Sequence, residues 1–510
     1  MEREWIGYRW LAGTYNISPV QPFAVSTCIG KSRGVVFTDG ITRVTLTQAA
    51  RPEATSAAHL TFALKHEGVH LEFLARLFAV IPQIEIEQWI QREPSGQYAR
   101  RACFLYEWLT GRSLAFDGVT VGNYVSALPD EQYVTNRRPE NCARWRVRNN
   151  LPGNVFYCPT IRRTEKIKAV EQFDFRAQLA QLEGDFGTDI LLRSAVWLTI
   201  KESRASFRIE HEELQADRIR RFAVAMERFI GKEDDPLSPE FLEQIQKEIL
   251  GGRALRIGVR RSPVFVGETN GFDEFIHYVA PHWDAIPAML SGLSKFAAST
   301  AGQPSLSLIR AGVLSFGFVF LHPMADGNGR ISRFLINDTL RRDDVTPDRL
   351  VLPVSASIIR SASNLAAYNI ALEQYSEPMM QKYRTACGMG AEIVCEDGVR
   401  TNFEFTAYAD ASSFWAYPDL TAQCEYLGGV IQETLQIDMR REASELAAHL
   451  RLRALVKEIV EAPDNEIDRI IRSVQDNGRT PTGKLKREYP IFTDDALFEE
   501  VANAVLGEGS

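Results

Sequence analysis

A chain of 510 residues holds enough material for two to four domains and a sizeable buried core. Hydrophobic residues at 45% and charged residues at 24% are the proportions of a soluble globular protein. A formal net charge of −8 excludes a chain built mainly to coat nucleic acid or an anionic membrane, though a local basic site fits within it. The opening "MEREWIGYRW" has no continuous apolar stretch, so no signal peptide is expected. The apolar run Ala311–Leu321 is 11 residues long, too short to span a bilayer, so no membrane partner is expected. Seven cysteines without CxxC spacing predict reduced thiols and a cytoplasmic location. No HExxH or Cys/His cluster predicts a structural zinc site.

The first 50 residues are short apolar pieces split by Gly and Pro, which predicts strands and turns. From Ala58 the period becomes helical, with Leu60, Leu64, Val69, Phe73, Leu77 and Val80 on one face. A second helix covers "YARRACFLYEWLTG", with Gly111 as its stop. Residues 117–159 read as irregular, and a domain boundary is expected near Thr160. From Arg162 to about Tyr383 the pattern is helical, interrupted once by "RIGVRRSPVFVGETNGFDEF". There Val264 and Val266 alternate between Pro263 and Gly267, which predicts a short hairpin. Beyond Gly388 the chain turns mixed and then helical, with "ASELAAHLRLRALVKEIVEAP" the clearest amphipathic stretch. "NGRTPTGKLKREYP" reads as a polar loop before a last helix near Asp495. The "GRTPTGK" within it is not a P-loop, because Leu485 stands where a Ser or Thr is required and no apolar strand precedes it.

The stretch "LHPMADGNGRISRF" (residues 321–334) concentrates the chemistry. Gly327 and Gly329 flank Asn328 and permit backbone angles that turn several N–H groups toward one point, a concavity suited to phosphate. Ile331, Phe334, Leu335 and Ile336 supply an apolar face, so a helix should start at the loop and add its N-terminal partial charge. Arg330 and Arg333 are neighbours on that helix and can bind phosphate oxygens in pairs. Asp326 would repel a bare anion and makes sense with magnesium between carboxylate and phosphates. His322 can then serve as a general base. An EF-hand is excluded, because Arg330 occupies a required oxygen-ligand position.

"HPMADGNGRISR" resembles the signature HPFx(D/E)GNGRxxR of the Fic (filamentation induced by cAMP) family, with Met324 in place of Phe. The resemblance implies a mainly α fold. Its helical Fic core and β-hairpin flap would follow a mixed α+β N-terminal domain and precede a mostly helical C-terminal region. The expected divisions are residues 1–160, 161–385 and 386–510, with a flap at about 256–274 and the motif at 322–333. The implied activity is transfer of AMP from ATP to a Ser, Thr or Tyr hydroxyl of a target protein, releasing diphosphate. His322 would deprotonate the hydroxyl and Asp326 would hold Mg2+. Gly327, Asn328 and Gly329 would cradle phosphates, and Arg330 and Arg333 would grip the β/γ end. In the flap, Val266 and Gly267 would lie along the nucleotide and target, and Tyr368 in "NLAAYNIALEQYS" would line the adenine pocket.

"KESRASFRIEHEE" is similar to the inhibitory motif (S/T)xxxE(G/N) of the self-inhibited class of that family. Ser206 and Glu210 would share one face of an inhibitory helix at about 198–214, with His211 replacing the small residue. Glu210 would then pair with Arg333 and withdraw it from the γ-phosphate. "ALKHEG", around Glu67, lacks the Ser or Thr and is the rival placement. Family members often dimerise, so a homodimer is among the implied assemblies, and contact with nucleic acid is left open. Two other readings share the same residues: removal of AMP at this site, and a nucleotide-responsive regulator that binds DNA or protein.

Overall fold

The computed structural model describes residues 4–38, 40–210, 216–251, 254–270, 273–348 and 350–507. It is mainly α-helical with four small sheets, and it forms two compact units, residues 1–174 with 199–432 and residues 175–198 with 433–510. This division differs from boundaries at 160 and 385. Thr160 donates its amide to Pro418 O at 2.8 Å and bridges to Asp419, so the chain on either side of it joins one body.

The first unit opens with β1 (Glu4–Ile6), α1 (Tyr8–Thr14), β2 (Val25–Ile29), β3 (Gly34–Thr38) and β4 (Ile41–Leu46), whose strands form a sheet in the order β1-β2-β4-β3. The predicted helical run from Ala58 is two helices, α2 (Ser56–His66) and α3 (Leu71–Val80). The break falls at Gly68, whose φ of 90° belongs to no right-handed helix. Glu67 at this break is half-buried among N-terminal groups, accepting from the Tyr8 and Thr27 amides, and takes no part in the motif described below. After α4 (Gln83–Arg92), α5 (Gln97–Thr110) ends at Gly111 in the left-handed conformation, the stop expected from sequence. Within the stretch read as irregular, β5 (Val125–Ser126), β6 (Glu140–Cys142) and β7 (Val147–Asn149) form a small sheet. They are too short to leave an alternating pattern.

The helical body follows with α6 (Glu165–Gln172), α7 (Phe175–Phe186), α8 (Thr188–Ile209), α9 (Ala216–Phe229) and α10 (Pro239–Leu250). The residues of α8 from Thr199 onward belong to the first unit. The hairpin is β8 (Phe265–Asn270) and β9 (Asp273–Val279), displaced toward the C-terminus from the expected 256–274. Residues 256–262 before it are tied down by side chains and by the motif loop, as described below, and do not enter the ladder. Next come α11 (Ile286–Ser299), α12 (Ser307–Leu321), α13 (Asn328–Arg342), α14 (Val354–Ile358) and α15 (Ala362–Tyr383). By length and composition the stretch Pro304–Leu321 could cross a membrane, but every residue of α12 except Val319 is buried, packed among α6, α11 and α13. It is the central helix of the core. The hairpin β10 (Cys387–Val394) and β11 (Arg400–Phe405) and helices α16 (Tyr408–Ala416) and α17 (Thr421–Glu433) complete the unit.

The second unit contains α7, α18 (Arg440–Ile459), α19 (Asp464–Asn477), α20 (Gly483–Glu488) and α21 (Asp495–Leu506). Val456, Ile467, Ile470, Ile471, Phe492 and Val501 form its core. The segment read as a polar loop contains α20, which Thr482 caps through its hydroxyl. At six residues with a single buried apolar side chain, Leu485, the helix leaves no periodic signal, and it follows α19, with no strand before it.

Candidate active site

The end of α12 sets the site. His322 closes the helix by donating its amide to Phe318 O at 2.9 Å, and it takes a left-handed conformation, φ 47° and ψ 55°. Pro323 then prevents the helix from continuing. Met324 is fully buried and its backbone bridges to Val259, so the unbranched side chain fills the interior position that the resemblance assigns to Phe. The Asn328 side chain closes the loop on itself, with Oδ1 accepting from the Met324 amide at 2.9 Å and Nδ2 donating to Met324 O at 2.7 Å. Gly327, at φ 87°, turns the chain into α13. The first turn of that helix presents backbone N–H groups and a partial positive charge.

His322 Nδ1 lies 3.2 Å from Val319 O and donates to it, which leaves Nε2 as the unprotonated nitrogen. Burial pushes the imidazole pKa down to about 4, with the Arg260 charge adding to it, against opposing pulls from Val319 O, Glu210 and Asp326. At neutral pH the ring is therefore a free base. Asp326 is exposed and accepts from Arg330 Nη2 at 2.9 Å. The Asp326 carbonyl accepts from Gln246 Nε2 at 2.8 Å, and Gln246 Oε1 accepts from the Gly258 amide at 2.7 Å. The buried Gln246 on α10 thus joins the motif loop to the segment before the flap. The Arg330 guanidinium lies over the Phe207 ring at 5.1 Å.

Arg333 is the meeting point of α13 and α8. Its Nε donates to Ser206 Oγ at 2.6 Å, and its Nη2 to Ser206 O at 3.1 Å and Glu210 Oε1 at 2.7 Å. Burial pushes the Glu210 carboxyl up, but Arg333, Arg330 and His322 together outweigh it and hold the group below the ordinary carboxylate range. Arg333 Nη1 is buried and has no hydrogen-bond partner. A Cβ built on Gly329 would come within 2.0 Å of Glu210 Oε1 and 3.2 Å of Arg333 Nη1. The Glu210 carboxylate therefore occupies the anion position at the start of α13. His211 lies outside the described residues.

Four residues not singled out from sequence complete the arrangement: Gln246, Arg260, Phe207 and Glu202. Glu202, one turn before Ser206, is fully buried and accepts from the Ser355 amide and hydroxyl, pinning α8 to α14.

Of the other expected residues, Val266 and Gly267 lie apart from this cluster, whereas Tyr368 adjoins Arg333. Val266 and Gly267 belong to β8 and pair with Tyr278 and Ile276 on β9. Val266 is exposed, and a side chain at position 267 would strike Phe275 O at 2.4 Å. Among the described residues, no hydrogen bond joins either to residues 322–333. Tyr368 is half-buried beside Phe316 and Tyr426, at 6.3 and 6.1 Å between ring centroids, and lies near Arg333.

Among the described residues, no three His, Cys, Asp or Glu side chains cluster as a metal site. A lone exposed carboxylate beside an anion pocket fits magnesium, which is bound by one or two carboxylates together with substrate phosphates. The buried Arg333 Nη1 and the position above Gly329, taken here by the Glu210 carboxylate, fit a phosphate group once Glu210 moves aside.

Hairpin, central helix, motif loop and anion pocket thus belong to one helical body. Residues 236–340 match the Fic/DOC family, and this stretch is a Fic/DOC family domain within a longer chain. Among solved structures, the chain is similar to the crystal structure of a Fic family protein from Desulfovibrio desulfuricans G20. The identity is 20%, the TM-score 0.37, and the match covers 62% of this chain and 87% of that one. Among curated proteins, none matches the chain.

Proposed function

We propose that the protein is a self-inhibited protein adenylyltransferase, moving AMP from ATP to a hydroxyl side chain of a target protein. Proteins with Fic domains typically transfer a nucleoside monophosphate to proteins. The reading rests on one observation above the others: a free imidazole nitrogen and an anion pocket share the same loop, and an internal carboxylate fills the pocket. His322 Nε2 takes the proton of the target hydroxyl, and the hydroxyl oxygen attacks the α-phosphorus as the bond to diphosphate breaks. Gly329, the first turn of α13 and Arg333 hold the β/γ end in line. Magnesium held by Asp326 and the phosphates would neutralise charge as diphosphate leaves. With Glu210 on Arg333, the γ-phosphate loses its arginine and its room, and the α-phosphorus is misaligned for attack. Seven free cysteines suit a reducing cytoplasm as the setting.

The test is intact-mass measurement of the Glu210→Gly protein incubated with magnesium and each nucleoside triphosphate in turn. A gain of one AMP from ATP, weak in wild type and absent in the Glu210→Gly/His322→Ala protein, is the expected result. Label that survives the His322 change sinks the assignment. Loss of AMP removal from a modified protein on changing Glu210, with no gain in transfer, would mark the reverse reaction instead.

A further inference from the structure

Arg260 is 1% exposed, and among the described residues every hydrogen-bond partner of its guanidinium is a backbone carbonyl. Nε donates to His322 O at 2.7 Å, Nη1 to Ser262 O at 2.8 Å, and Nη2 to Pro281 O at 2.7 Å and more distantly to Leu321 O at 3.4 Å. Its own amide donates to Pro323 O at 2.9 Å. A buried cation is ordinarily matched by a carboxylate. Here four carbonyl oxygens take up four of the five N–H donors, and none of them brings a negative charge.

Those oxygens belong to three separate segments. Ser262 precedes β8 and Pro281 follows β9, so they are the two feet of the flap. Leu321 and His322 end α12. His322 also carries an unfavourable left-handed backbone, which persists only where its surroundings hold it. We propose that Arg260 is the positioning residue of the general base: it fixes the left-handed backbone of His322, ties it to both feet of the flap, and sets its own positive charge beside the imidazole. The flap and the base are thereby held in one register, so a target segment seated on the flap arrives in line with Nε2.

The segment around Arg260 is itself buttressed. Asp397, in the turn between β10 and β11, accepts from the Arg261 amide and the Ser262 hydroxyl, both at 2.8 Å, and Arg256 Nη2 donates to Gly398 O at 2.6 Å. The charged groups that act on His322 are Arg260, which disfavours a proton on it, and Glu210 and Asp326, which favour one.

The role rests on His322 acting as base in the proposed transfer, and two variants in the Glu210→Gly protein separate geometry from charge. Arg260→Lys keeps the cation but cannot reach four carbonyls. Its rate of self-modification at saturating ATP should fall about 10- to 100-fold, as for a displaced reacting group, with the half-saturating ATP concentration unchanged. Arg260→Met should lose rate similarly and also move the NMR titration of the His322 imidazole upward toward 6.5, its signal identified by its loss in His322→Ala. A Met variant whose His322 titrates as in the parent protein overturns the proposal. So does a Lys variant with an undiminished saturating rate, which decides the matter if the Met variant does not fold. If the Glu210→Gly protein transfers no nucleotide at all, the proposed function fails, while the titration still reads the role of Arg260.

Discussion

The Glu210 carboxylate lies over Gly329, so close that a single added methyl at position 329 would meet Oε1 at 2.0 Å. The contact explains why this position is glycine although its backbone is ordinary helix. The small residue leaves room for an anion, and in this structure the anion is the protein's own.

Gly329→Ala should therefore act on the pocket and leave the fold intact. The atom in its way is the end of a side chain that can swing aside, so the melting temperature should change little. The displaced Glu210 would lose its bond to Arg333, and its carboxyl would titrate at a higher pH than in wild type. In the Glu210→Gly protein the same methyl would instead intrude on the phosphate and weaken ATP binding by about tenfold or more, readable by calorimetry. Unaltered ATP affinity would show that phosphate does not use the space above Gly329.

The imidazole of His322 makes a second prediction. Its pKa is pushed down to about 4, against 6.5 for an unperturbed histidine, so the wild-type ring should stay neutral down to about pH 5. Glu210 pulls in the other direction, because a nearby carboxylate favours imidazolium. Removing it in Glu210→Gly should lower the titration midpoint further and leave the base free over a wider range. A midpoint near 6.5 in either protein would contradict the buried, cation-facing environment described here.

Asn328 carries a structural load that its place in a phosphate motif conceals. Its amide satisfies both backbone groups of the buried Met324. Asn328→Ala leaves two buried polar groups without partners, a loss of about 2 to 4 kcal/mol in unfolding free energy. Asn328→Asp should recover only the bond to the Met324 amide. Equal stability of all three proteins by denaturant titration would remove Asn328 from this role.

Much of the site was legible because its chemistry is contiguous. His322, Asp326 and Gly327 sit between α12 and α13, and Gly329, Arg330 and Arg333 follow on the first turns of α13. The pairing of Glu210 with Arg333 came from the resemblance to an inhibitory motif, since Ser206 and Glu210 by spacing alone describe any solvated helix face. Arg260 and Gln246 left no signal. Their partners are backbone groups, most of them distant in sequence, and Arg and Gln are ordinary surface residues until the fold encloses them. The expected boundary near Thr160 follows the same logic in reverse. A strand-like pairing with Asp419, far along the chain, cannot be seen in local composition.

Glu202 yields the last prediction, because it anchors α8, which carries Ser206 and ends immediately before Glu210. Burial pushes its carboxyl up to about 7, although Ser355 donates to it twice and Arg333 lies nearby. A folded pKa above the unfolded value means that the folded protein holds a proton that the unfolded chain has released. The stability contributed by that proton is complete below about pH 4.5 and is lost as pH rises through 7. The change from 4.5 to about 7 corresponds to a contribution on the order of 3 kcal/mol. Glutamine keeps one acceptor for the Ser355 amide and carries no charge, so Glu202→Gln should match wild type near pH 4.5 and exceed it in stability at pH 8. Firmer seating of α8 should also reduce the self-modification of the otherwise wild-type protein at pH 8. Groups common to both proteins cancel in the comparison, so a melting-temperature difference that stays constant from pH 4.5 to 8 would rule out ionisation of Glu202 as the cause.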